Sequence, residues 1–130
     1  MRDLVMLKKI LELFDDGLDN DVAPSASATP SLGKHFEGKV CVVRTYSAGV
    51  FYGLVEKLNG KEALVKDARR LWYWSGAASL SQLANEGVTK PEECKFPAKV
   101  PSVFLSEVVE VLPVRADALK NLDAVPVWKQ

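Results

Sequence analysis

Hydrophobic positions recur at two different periods along the chain. In residues 3–18, Leu4, Leu7, Leu11, Phe14 and Leu18 are spaced by three and four, which predicts an amphipathic helix over 1–18 with one apolar stripe. Lys8, Lys9, Glu12, Asp15 and Asp16 fill its other side. A helix of two heptads is marginal alone in water. Its stripe therefore packs on its own domain or docks a partner, with Leu4, Leu7, Leu11 and Phe14 as the docking residues. Residues 19–35 are acidic and then rich in Pro, Ala, Ser and Thr, without periodicity, and read as a flexible linker.

From Lys39 onward the period shortens to that of strands. Val40–Tyr46 predicts a first strand and Val50–Lys57 a second, with Gly53 marking a sharp bend or bulge. Asn59-Gly60 is the strongest hairpin signal and suggests a type I′ turn. Glu62–Ala68 is the return strand, and Arg69–Trp74 either continues it or begins another. Ser79 is a plausible N-cap with Gln82 three residues on, so residues 79–84 predict a short helix ended by Gly87. Pro91–Cys94 suggests one helical turn opened by proline. Val103–Leu112 reads as a strand with Ser106-Glu107 as a candidate break, Arg115–Leu122 as a helix, and Val125–Trp128 as extended chain. The expected fold is mainly β with α additions (α+β). It is a small, strongly bent antiparallel barrel over residues 36–130, with a helical insertion at about 75–95, because closure removes exposed sheet edges.

Composition narrows the class. Seventeen basic side chains balance seventeen acidic ones, but unevenly: residues 1–23 carry a net −3 and residues 39–75 a net +4. That basic bias is far weaker than in a strongly basic nucleic-acid-binding domain. No apolar run reaches the ~18–20 residues of a membrane span. Asp3, Lys8, Lys9 and Glu12 interrupt the start as a signal peptide would not. The expectation is a cytoplasmic protein, not secreted and with no membrane partner. Two cysteines, Cys41 and Cys94, are too few for a disulfide framework.

Catalytic chemistry is poorly supported. His35 is the single histidine, Cys41 lies in an apolar strand, and Cys94 follows two glutamates, an acidic setting that does not favour a thiolate. No zinc, EF-hand, phosphate-loop or nucleophile-elbow spacing occurs. The expectation is a non-enzymatic protein with no cofactor and no metal.

Two segments stand out as binding candidates. Residues 67–76 concentrate Arg69, Arg70, Trp72, Tyr73 and Trp74. Guanidinium groups grip phosphate bidentately, and indoles stack on bases. Strand alternation groups Arg70, Trp72 and Trp74 on one side and Arg69 with Tyr73 on the other. Core packing or a subunit interface uses the same residue types. The second segment, residues 44–49, offers Arg44, Tyr46 and Ser47 beside a glycine as an anion-binding loop. Together Arg44, Tyr46, Ser47, Arg69, Arg70, Trp72 and Trp74 form the candidate ligand site. The arginines would contact phosphate and the aromatic rings would stack.

The segments GVFYGLVEKL, EALVKDA and VFLSEVVEVL, with the tight turn at Asn59-Gly60, resemble the Sm-like small barrel, an SH3-like architecture in which a bent, glycine-containing strand precedes the turn. The resemblance implies rings formed through edge-strand pairing. The family's late Arg-Gly or Lys-Gly pair, which helps hold RNA bases, is replaced by Ser106-Glu107, and the segment from Ala68 to Val103 is longer than usual. Separately, RTYSAGVFYG, DARRLWYWSGAASLSQLA and CKFP resemble a family of small uncharacterised proteins of tailed phages and prophages, over roughly residues 36–128. That resemblance implies a phage origin and a host-cytoplasmic location. The leading expectation is a self-associating phage or prophage module that binds single-stranded nucleic acid or a nucleotide-type ligand. Sequestering a nucleotide signal of host immunity is one use for such a module. The alternative is a structural or adaptor protein of a virion or host-takeover complex, docked through the 1–18 helix.

Overall fold

A computed structural model describes residues 32–130. The helix expected over 1–18, its docking residues Leu4, Leu7, Leu11 and Phe14, and most of the 19–35 linker lie outside the described residues. The last linker positions belong to a 3₁₀ helix, Leu32–Phe36. It packs on the second strand, where Leu58 N–H donates to Glu37 Oε2 at 2.9 Å and Gly38 N–H to Val55 O at 2.7 Å.

Five antiparallel strands follow: β1 (Lys39–Thr45), β2 (Val50–Asn59), β3 (Glu62–Arg70), β4 (Val100–Leu105) and β5 (Val108–Pro113). The sheet order is β4-β3-β2-β1-β5, an open sheet whose two edge strands are consecutive in sequence. Ser106-Glu107 is the break between them. Helix α1 (Leu80–Glu86) precedes β4, and α2 (Ala116–Asp123) follows β5. No helix among the described residues is long and apolar enough to cross a membrane.

Both faces of the sheet are covered, which explains why Cys41, Val42 and Val43 are buried in succession rather than alternately. One core takes side chains from all five strands, from Cys41, Val43, Phe51 and Val65 out to Leu105 and Val108 on the edges. Edge residues reach that common cluster only if the sheet curls toward it. The other core packs Val42, Tyr52 and Leu71 against Leu83 and Ala84 of α1, Leu122 of α2, and Val88, Phe96 and Val125.

Local sequence sets the bends. Opposite Gly53, the β2–β3 register jumps between Tyr52↔Arg69 and Leu54↔Lys66. Asp67, at φ +48°, takes up the extra residue. A Cβ on Gly53 would stand 2.7 Å from Val65 Cγ1 and 2.8 Å from Lys66 O, so the chain passes there only without a side chain. A second register shift between Val55 and Lys57 pairs Asn59 with Glu62. The turn residues are therefore Gly60-Lys61, not Asn59-Gly60. Gly60 alone has positive φ there, as in a type II′ turn rather than the expected I′. Ser79 caps α1 by accepting from Gln82 N–H at 3.2 Å, and Gly87 ends it. Asn121 of α2 then grips Val88 from both sides, with Oδ1 accepting from its N–H at 2.7 Å and Nδ2 donating to its carbonyl at 2.8 Å.

A candidate ligand cleft between the β1–β2 loop and the end of β3

The loop joining β1 to β2, residues 46–49, is held from below by Thr45. Its backbone N–H and hydroxyl both donate to Gly49 O, at 3.0 and 2.7 Å, and the hydroxyl accepts from Ala48 N–H at 2.9 Å. Gly49 sits at φ +97°, a conformation that L side chains rarely adopt. β3 ends beside this loop at Arg70. Beyond it Leu71 is buried, its N–H donating to Val50 O at 2.8 Å, and Tyr73 bridges to Lys95.

Between loop and strand end lies a cleft of about 580 Å³, lined by Ser47, Gly49, Val50, Arg70, Trp72 and Trp74 among others. The Arg70 guanidinium lies over the Phe51 ring, 4.4 Å from its centroid, and donates to Ala48 O. These two contacts fix its plane and leave further N–H groups free for a ligand. Arg70 is exposed and makes no ion pair among the described residues. Trp72 is 64% exposed, and Trp74 is half-buried against the second core. The cleft thus joins an exposed cation to two indole surfaces.

The other candidates are placed differently. Ser47 lines the cleft, but its hydroxyl donates to the Glu107 carboxylate. Tyr46 projects outward, 82% exposed, and does not line the cleft. Arg44 lines an adjoining cavity of about 420 Å³, which shares Val50 and Trp74 with the cleft, and it pairs with Glu110 at 3.7 Å.

Arg69 departs furthest from a phosphate-contacting role. It is buried, with Nε donating to Pro97 O at 2.9 Å, Nη1 to Leu122 O at 3.1 Å, and Nη2 to Phe96 O, Val125 O and Pro126 O at 3.2, 2.7 and 3.2 Å. Nη1 also approaches Tyr52 Oη at 3.5 Å, and that phenol donates to Asp123 Oδ1 at 2.7 Å. With its donors committed to backbone carbonyls, this arginine fastens the chain after α2 to the sheet and has nothing left for an anion. Burial is the main reason the Tyr52 phenol is pushed up to about 12.

None of the described sulfur and imidazole groups lines the cleft. Cys41 is buried in the strand-lined core, and that burial pushes its thiol up to about 11. Cys94 lies in the other core, where its sulfur accepts from Ser75 N–H at 3.4 Å and faces the Ser75 and Lys90 carbonyls. His35 stands exposed beside Lys39, 3.4 Å away. No group of three His, Cys, Asp or Glu side chains suited to a metal occurs among the described residues.

Outside the two candidate segments, the structure adds Val50 to the cleft, and Ser79, Leu80, Ser81 and Glu110 to the adjoining cavity. Of these, Ser79 was readable as the N-cap of α1, whereas Glu110 reaches the cavity through strand pairing, which opposes it to Arg44.

These elements define a small β-rich domain carrying an arginine- and tryptophan-lined cleft. The chain belongs to the family described as Domain of unknown function (DUF6948), whose model matches residues 38–122 and so takes in the whole cleft. No curated protein matches the chain.

Proposed function

We propose that the domain is a non-catalytic binding module whose cleft takes a nucleoside phosphate, the unit common to a nucleotide and to short single-stranded nucleic acid. The observation that carries this reading is the Arg70 guanidinium. It is exposed, unpaired by any carboxylate among the described residues, and set at the rim of a cleft walled by Trp72 and Trp74. A phosphate would be gripped by the free N–H groups of Arg70, while a base would stack on Trp72, the more exposed indole.

Self-association belongs to the same proposal. Both outer strands carry exposed apolar side chains, Val100 and Phe104 on β4 and Val109 on β5. The two edge strands are joined by only two residues, which supports closure of the sheet into an Sm-like or SH3-like barrel as part of the same proposal. Phage or prophage origin, and action in the host cytoplasm, rest on the RTYSAG, DARRLWYWSGA and CKFP resemblance.

Native mass spectrometry of protein purified from cells, before and after denaturation, tests the reading. The expected result is an oligomer carrying a nucleotide-sized or short nucleic-acid mass that an Arg70→Ala preparation lacks. An empty protein that also fails to take up added nucleotide overturns it.

A further inference from the structure

Resting on that reading, we infer that the site has two lobes and takes a two-unit ligand, binding a dinucleotide more tightly than a mononucleotide. The cleft at Arg70 and the cavity at Arg44 meet along Val50 and Trp74, and their volumes are about 580 and 420 Å³. The floor of the second lobe follows from sheet register. Arg44 on β1 stands directly opposite Val50 on β2 and Glu110 on β5. This sets a row three strands wide, roughly 10 Å from end to end. Leu80, Ser79 and Ser81 at the start of α1 form the opposite wall.

The two lobes differ in chemistry. The first presents an exposed guanidinium with no carboxylate partner among the described residues, and suits phosphate. In the second, the Glu110 carboxylate forms an ion pair with Arg44 at 3.7 Å, and both members are about half exposed. A pair so exposed is weak and exchanges easily with a ligand. A carboxylate beside an indole rejects phosphate and accepts N–H donors. It therefore suits a base edge with adjacent donors, such as N1–H and N2–H of guanine. The first nucleotide places its phosphate at Arg70 and its base on Trp72. The second base passes Trp74 and turns its donor edge to Glu110.

The test compares calorimetric affinities of the full chain for the linear dinucleotide pGpG and for guanosine 3′,5′-bisphosphate, which keeps the first unit and its phosphates but lacks the second base. One added stacked and hydrogen-bonded base predicts about tenfold tighter binding or more for pGpG. Glu110→Gln should remove most of that advantage while affecting the bisphosphate far less. Equal affinities for the two ligands would overturn the second lobe and leave the nucleoside phosphate reading standing. A pGpG advantage that Glu110→Gln does not reduce overturns the assignment of its second base to this lobe. Binding of neither ligand brings down the two-lobed site together with the reading beneath it.

Discussion

Arg69 and Arg70 are neighbours in sequence and opposites in environment. Arg69 points into the helix-covered side of the sheet, where carbonyls of residues 96–97 and 122–126 surround its guanidinium. Arg70 points to the rim, where one carbonyl and one phenyl ring hold it and the rest of the group faces the cleft. One residue type thus serves cohesion in one place and remains available for a ligand in the next. The deciding factor is the number of acceptors the fold aims at each guanidinium.

The widest gap between the two should appear in stability. Arg69→Ala strands several buried carbonyls and the Tyr52 hydroxyl, and should cost about 3–5 kcal/mol. Urea denaturation measures this loss. Arg69→Lys should rescue only part of it, because an ammonium offers three donors and no planar fork. A smaller loss is expected at the bulge next to Arg69. Gly53→Ala drives a Cβ against Val65 and the Lys66 carbonyl, and should cost about 1–3 kcal/mol in the same assay.

Raising the pH probes the buried side without mutation. Cys41 and Tyr52 have folded pKa values pushed up from 9.0 to about 11 and from 10.0 to about 12. Above the unfolded values, the native state binds more protons than the unfolded chain. Stability from these groups is therefore intact below pH 9 and lost progressively between about pH 9 and 12. Thermal melts across that range should show the decline, and Tyr52→Phe should blunt its upper part. The least change in stability is expected at the rim. Arg70→Ala forfeits a cation–π contact and one exposed hydrogen bond, about 1 kcal/mol or less. Trp72→Ala should fall within about 0.5 kcal/mol.

The contrast between the two arginines was half visible in the sequence. Alternation along 69–74 puts Arg70, Trp72 and Trp74 together, and all three line one cleft. Which side would be sealed was not legible, because the partners of Arg69 are backbone carbonyls of distant loops, and a carbonyl leaves no mark in sequence. The strands, the Gly53 bend and the Ser79 and Gly87 caps could be read because each depends on a local residue preference. The hairpin turn was misplaced by one residue because the shift at Val55/Lys57 resets the pairing without disturbing the hydrophobic pattern. Tyr46 reads as a stacking residue from its company in sequence, yet the loop geometry set by Thr45 turns it away from the cleft.

Titration of wild-type protein and Arg70→Ala with guanosine 5′-monophosphate, followed by tryptophan emission, addresses the cleft most directly. Saturable quenching is expected in the wild type, with affinity weakened about 10- to 100-fold in Arg70→Ala while its urea midpoint stays close to that of the wild type. Equal affinity in the two folded proteins, or no quenching in either, would contradict the assignment of this cleft as the binding site.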